Sequence, residues 1–360
     1  MRSLKGKIIN FDDAYVGEII FNDKINKINR LESVQEDNYI IPGFIDLHCH
    51  GANGFDTMDG WESIKNMSLY HLNKGTTSIL PTTWTSTFDH TYKALQNFNN
   101  FKNTNTNILG VHLEGPFINP NKLGAQPPFT QNPSIEFVNK VRNLAPIKVI
   151  TLAPELEGMD KFIDALNELD INVQFGHSLA EYSCCVKFMN KHSIGFTHLY
   201  NAMSGNDHRN PGVLSAALQL GEFAEIICDM NHVSETSIKI AKKCIKNLYA
   251  VTDSIGATGL QDGVYKYFNA EIEKRKNIAV LKKTNILAGS IVNMHDTFSN
   301  LIKLKFSLND VVRMTSYNAA QYLRKHDIGY IGEGKISNIL VIDKNLNLKD
   351  IFLNGININE

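Results

Sequence analysis

The sequence predicts an α/β protein: an eight-stranded (β/α)8 barrel of the TIM type, with a small β-sandwich formed from both termini. Three observations predict it. Apolar strand-like runs alternate with amphipathic helical stretches from residue 40 onward, eight such runs can be drawn, and five of them end in a side chain able to bind a metal or carry a proton.

The eight runs are 40–48, 76–82, 108–114, 147–153, 172–177, 195–200, 224–230 and 247–253. Between them, Met159-Asp-Lys-Phe-Ile-Asp-Ala-Leu-Asn-Glu-Leu carries its apolar residues at helical spacing. Glu235-Thr-Ser-Ile-Lys-Ile-Ala-Lys-Lys-Cys-Ile does the same and groups lysines at the end that the helix dipole favours. Lys74-Gly75 reads as a helix stop before the second strand. Parallel strands each followed by a helix close into a barrel whose active site lies at the C-terminal strand ends. The barrel is assigned to residues 41–327. Residues 1–40 and 328–360 instead give short runs such as Gly17-Glu-Ile-Ile-Phe and Asn338-Ile-Leu-Val-Ile-Asp, separated by turn residues. Neither end has partners of its own, so the two pair into one sandwich.

Composition narrows the class. The chain has 360 residues, is 43% hydrophobic and carries a formal net charge of −1, enough for one large core and without the basic excess of a nucleic-acid protein. No apolar run approaches the roughly 20 residues that span a bilayer, and the N-terminus lacks a signal-peptide pattern. Five cysteines without framework spacing suggest reduced thiols and a cytoplasmic protein; Cys184-Cys185 falls in a helix.

The strand endings carry the chemistry. In Phe44-Ile-Asp-Leu-His48-Cys-His50-Gly the two histidines lie two apart on a strand and leave the same face, which lets both imidazoles reach one cation. In Val111-His-Leu-Glu114-Gly-Pro the carboxylate ends an apolar strand, where it must be paired or coordinate something. His112, deeper on the same face, reads either as a support for the ligands or as a core histidine. Phe175-Gly-His177-Ser and Phe196-Thr-His198-Leu-Tyr-Asn201 put imidazoles at the ends of consecutive strands. Asp253, in Val251-Thr-Asp253-Ser, can take a proton from a metal-activated water and return it to a leaving group; a turn aspartate is the plainer reading, and Asp229 competes for the role. His232 sits in the loop where substrate would lie. Arg209, in the loop after the sixth strand, suits a phosphate or carboxylate, or is simply solvated. Leu287-Ala288-Gly289-Ser is a small-residue turn able to close against a ligand.

Pro42-Gly-Phe-Ile-Asp-Leu-His-Cys-His-Gly resembles the opening motif of the metal-dependent amidohydrolase superfamily. His112-Leu-Glu-Gly-Pro-Phe, Gly176-His-Ser, Thr197-His-Leu-Tyr-Asn-Ala-Met and Leu287-Ala-Gly-Ser narrow the resemblance to the N-acetylglucosamine-6-phosphate deacetylases, from about Pro42 to Met294. The resemblance implies that Glu114, His177 and His198 bind the main divalent metal and that Asp253 is general base and acid. It implies that Asn201, Ala202, Arg209 and His232 hold the sugar phosphate, that Leu287, Ala288 and Gly289 line the sugar, and that Ala125 and Gln126 form a substrate-contacting turn. His48 and His50, replaced in some relatives, leave room for a second metal with Glu114 bridging. Zinc or iron comes first, with manganese or cobalt also suited to such ligands. Relatives are similar in being homodimers in which a loop reaches the other subunit's site, so Arg209 or His232 would act across an interface. Met230, where the family often has glycine, is a departure. The rival readings are an N-acetylgalactosamine-6-phosphate deacetylase, a cyclic-amide hydrolase of the same superfamily, and a non-catalytic scaffold. Cyclic-amide hydrolases use a carboxylated lysine at the end of strand four, whereas Lys148 lies at that strand's start.

Overall fold

The structure is a computed structural model and describes residues 1–34, 38–99, 107–267 and 270–360; residues 35–37 of the N-terminal segment lie outside the described residues. Strands β1 (Arg2–Ile9), β2 (Ala14–Phe21), β3 (Ile25–Arg30) and β4 (Tyr39–Pro42) come from the N-terminal segment. The barrel follows as β5 (Phe44–Cys49), β6 (Thr76–Thr83), β7 (Val111–Glu114), β8 (Ile147–Leu152), β9 (Asn172–Phe175), β10 (Ile194–Phe196), β11 (Phe223–Ile227) and β12 (Asn247–Val251). All eight expected runs are strands.

Strands β5 to β10 form one parallel sheet in sequence order, and β11 pairs parallel with β12. Two seams complete the ring. Leu199 N–H donates to the Glu225 carbonyl at 2.8 Å, joining β10 to β11. Asp253 N–H donates to the His48 carbonyl and His50 N–H to the Ser254 carbonyl, both at 2.8 Å, joining β12 to β5. Several strands stop two to four residues before the sequence suggests. The reason is local: His177, His198 and Asp253 have φ of 48°, 29° and 50°, a left-handed backbone that cannot continue a ladder. The site residues therefore stand just past the strands, on the turns that leave them.

Amphipathic helices wrap the barrel, among them Met159–Glu168, Tyr182–Met189 and Glu235–Cys244, the first and last at the positions their apolar spacing predicts. Cys184 and Cys185 lie in the second of these. The helix Trp61–Leu72 ends before Gly75, whose φ of 88° makes the turn into β6. No helix among the described residues is long and apolar enough to cross a membrane.

Three further strands, β13 (Gly263–Tyr267), β14 (Ala270–Arg275) and β15 (Ile278–Leu281), form an antiparallel sheet after the eighth barrel strand. The alternation of runs in the sequence does not announce this insert. The chain ends with β16 (Ile339–Ile342), β17 (Leu348–Leu353) and β18 (Ile356–Asn357). These join the N-terminal strands in one seven-stranded sheet of order β18-β17-β16-β4-β1-β2-β3. Its own apolar core includes Ile8, Ile19, Phe21, Ile40, Ile339 and Phe352, all nearly inaccessible to water. Strand β4 runs through Gly43 directly into β5, so this sheet grips the barrel at its first strand.

Candidate metal centre

Two pairs of imidazoles converge on Glu114 at the C-terminal mouth of the barrel. Glu114 Oε1 lies 3.0 Å from His177 Nε2 and 3.1 Å from His198 Nε2. Its other oxygen, Oε2, lies 3.0 Å from His50 Nε2 and 3.4 Å from His48 Nε2. One carboxylate thus straddles two half-sites. Asp253 Oδ1 completes the second, 3.4 Å from His48 Nε2 and 3.3 Å from His50 Nε2.

Three of the four rings have their tautomer fixed from behind. The Nδ1 of His50 meets the Thr82 carbonyl at 3.1 Å, that of His177 the Lys122 carbonyl at 3.0 Å, and that of His48 the Glu225 carboxylate at 2.9 Å. Those oxygens only accept, so each Nδ1 carries the hydrogen and each Nε2 turns a lone pair into the site. Facing nitrogens are then close, 3.0 Å for His177 and His198 and 3.2 Å for His48 and His50. For His48 and His50, whose tautomers are both fixed, lone pairs at that separation require a proton or a cation between them. The residues therefore fit divalent metal by donor chemistry: imidazole nitrogen and carboxylate oxygen in two groups of three, Glu114-His177-His198 and His48-His50-Asp253.

The electrostatics agree. Burial opposes charge on His48, yet the fields of Glu114, Glu225 and Asp253 outweigh it and push its pKa well up. Burial likewise opposes ionisation of Asp253, but the positive field of His48 and the hydrogen bond to His50 hold its pKa down to about 2. The centre is thus an anionic cluster that draws positive charge inward, with Asp253 ionised at neutral pH.

The centre opens into a cavity of about 300 Å³. His50, Glu114, His177, His198 and Asp253 form its floor, and Ala125, Gln126, Asn201, Ala202, His232, Leu287 and Gly289 its walls. His48 is buried behind the floor, and Ala288 is buried behind the wall. Arg209 is elsewhere: it is exposed on its loop, with its backbone N–H capping Asp207 at 2.8 Å, and does not line the cavity. Asp229 also faces away from the floor, accepting from His232 Nδ1 at 2.7 Å. That contact leaves His232 Nε2 for the cavity. Burial works against the imidazolium, but Asp229 outweighs it and the pKa of His232 is raised. His112 donates Nδ1–H to the Leu47 carbonyl at 3.0 Å and accepts from Thr151 Oγ1 at 2.7 Å, a core histidine beneath the centre. Gln126 is pinned at both ends, accepting from Thr85 N–H at 2.7 Å and donating to Glu114 Oε2 at 2.5 Å.

Two participants have no counterpart in the sequence reading. Trp84, just past β6, lies flat on His50 and lines the cavity; its indole N–H donates to Asp56 at 3.1 Å. Glu225, inside β11, holds His48 from behind. A lone tryptophan after Pro81-Thr-Thr and a single acid within Phe223-Ala-Glu-Ile-Ile carry no spacing signal; only a polar residue in a buried run hints at Glu225.

Residues 39–357 match the amidohydrolase family. The chain is 35% identical over 354 residues to an N-acetylglucosamine-6-phosphate deacetylase of Bacillus subtilis strain 168, covering 94% of this chain and 89% of that one. It is 33% identical over 345 residues to the enzyme of the same name from Lysinibacillus sphaericus, covering 93% and 88%. The crystal structure of an N-acetylglucosamine-6-phosphate deacetylase from Thermotoga maritima superposes with a TM-score of 0.92 at 29% identity, covering 99% of both chains.

Proposed function

The chain belongs to the amidohydrolase family, and on that footing we propose that it hydrolyses the acetamide of N-acetylglucosamine 6-phosphate to acetate and glucosamine 6-phosphate. The observation that carries this reading is the convergence of four imidazoles and Asp253 on Glu114 at the floor of a single cavity.

A divalent cation bound there, zinc or iron first, supplies a polarised water and an electrophile for the carbonyl oxygen. Glu114, His177 and His198 would hold it, and His48 and His50 would hold a second with Glu114 between. Asp253, ionised at neutral pH, accepts the water's proton at its carboxylate while that water attacks the acetamide carbon. It then gives the proton to the nitrogen as the carbon–nitrogen bond breaks, and so returns to its starting state. Gln126 keeps the Glu114 carboxylate from rotating. His232, whose imidazolium Asp229 favours, and Asn201 with Ala202 receive the phosphate, while Leu287 and Gly289 frame the sugar ring with Ala288 packed behind them. Phosphate contacts remote from the reacting bond supply binding energy and select phosphorylated sugars.

Arg209, exposed beyond its own cavity, is assigned to the cavity of a second subunit in a homodimer. Catalysis belongs to the barrel domain, residues 41–327, with residues 1–40 and 328–360 as the smaller domain. Five free cysteines suit a cytoplasmic setting.

Acetate release from N-acetylglucosamine 6-phosphate, beside its galactosamine epimer, the unphosphorylated sugar and dihydroorotate, tests the reading. Fast turnover of the first, abolished by chelator and restored by zinc or iron, supports it. Preference for the galactosamine epimer, or for the cyclic amide, refutes it.

A further inference from the structure

Glu225 is a fully buried carboxylate to which the mechanism above gives no task. It interrupts the apolar run of β11, and burying an anion there is costly unless each oxygen is satisfied. Both are. Oε2 accepts from His48 Nδ1 at 2.9 Å and from the His198 backbone N–H at 3.2 Å. Oε1 accepts from Gln174 Nε2 at 3.1 Å. His112 Nδ1 is 3.9 Å from Oε1 but gives its hydrogen to the Leu47 carbonyl. Among the described residues no lysine or arginine pairs with Glu225, so its charge is met by imidazoles, amides, the Tyr249 hydroxyl and whatever cation occupies the mouth of the barrel.

We propose that Glu225 is a positioning residue that makes His48 a metal ligand and thereby sets whether the chain holds one divalent cation or two. The proposal rests on the metal-dependent reading above. Two geometric facts support it. A carboxylate only accepts, so the contact forces the Nδ1–H tautomer on His48 and aims its Nε2 at His50 and Glu114, 3.2 and 3.4 Å away. The same oxygen also holds the peptide N–H of His198, a residue at a φ of 29° that its side chain disfavours. One carboxylate oxygen therefore touches a ligand of each half-site, orienting a ring in one and holding a strained backbone in the other. Carboxylates behind metal-binding histidines commonly change metal affinity by about 10- to 100-fold when removed.

The test equilibrates wild type, Glu225→Gln and Glu225→Asp with zinc buffered over a range of free concentrations and counts zinc per chain by mass spectrometry. Wild type takes up two ions. In Glu225→Gln the first ion binds with affinity within a few-fold of wild type and the second about 10- to 100-fold more weakly. Glu225→Asp, which keeps the charge, recovers part of the loss. A merely structural role would lower the melting temperature without separating the two steps. Should the variants fail to fold, histidine nitrogen NMR of the zinc-loaded wild type decides: Nδ1–H on His48 upholds the proposal, and Nε2–H overturns it. Two unchanged zinc steps in Glu225→Gln overturn it too. A wild type that turns over the phosphosugar with one zinc at every concentration overturns this proposal and leaves the deacetylase reading intact. Zinc bound with no turnover of any amide strikes that reading instead.

Discussion

The indole of Trp84 lies flat against the imidazole of His50, with ring centroids 3.6 Å apart and planes inclined by only 15°. The stack is itself held in place, since the indole N–H is anchored to Asp56 and Tyr267 packs edge-on against the indole at 4.6 Å. Trp84→Leu is therefore expected to lower kcat/KM by about tenfold or more, the worth of one well-placed aromatic contact. Trp84→Phe keeps the stack, loses the anchor and should fall between. Steady-state kinetics of both variants at fixed zinc check this, and a Trp84→Leu enzyme with wild-type kinetics would remove the stack from the site.

His232 is expected to act on the phosphate as a cation. Asp229 raises its pKa, so the cationic form persists below that raised value and disappears as pH climbs through it. The KM for the phosphosugar should rise toward alkaline pH, and Asp229→Asn should move that rise to lower pH. A KM profile identical in the two proteins would exclude His232 from phosphate binding.

His71 gives the fold a sensitivity to acid. Burial lowers its pKa from 6.5 to about 4, so the unfolded chain binds this proton and the folded chain does not over that interval. The stability present above pH 6.5 is lost progressively toward pH 4, by up to about 3 kcal/mol. Asp46, whose pKa burial raises to about 7, works in the opposite direction, so the comparison must be between variants. Urea denaturation at pH 7.5 and 5 should show a smaller loss in His71→Asn than in wild type. An equal loss in both would assign the acid sensitivity elsewhere.

Gly289 faces Asp253 closely. Its φ is 65°, and a β-carbon there would stand 2.7 Å from the Asp253 carbonyl and 2.6 Å from Ile255 Cγ2. Gly289→Ala should cost at least about 1 kcal/mol from the left-handed backbone alone and lower kcat by displacing the carboxylate. Unaltered turnover together with unaltered urea denaturation would show that the loop yields freely.

The sequence carries the centre well because each candidate ligand closes an apolar run, and a polar side chain in that place is legible one strand at a time. His48, His50, Glu114, His177, His198 and Asp253 all meet at the barrel mouth for that reason. What it does not carry is relation across the ring. Glu225 faces His48 over 177 residues of sequence and Trp84 reaches Asp56 over 28, pairings that exist only once the strands close. The insert β13 to β15 is hidden for another reason: its exposed and half-buried residues form a small two-faced sheet, without the buried runs that mark the barrel strands. Arg209 shows the converse limit, a residue with suitable chemistry whose loop carries it away from its own cavity.

The seam that joins the last barrel strand to the first runs through the centre itself, as Asp253 N–H to His48 O and His50 N–H to Ser254 O. The bonds that close the ring and the side chains that would grip the cation thus belong to the same few residues. Filling the centre should staple the ring shut, and slow exchange of these two amide hydrogens would register the cation's arrival before any substrate is added. Stripping it would loosen first the place where the barrel begins and ends, so that protease susceptibility near residues 50 and 253 becomes a gauge of cofactor loading.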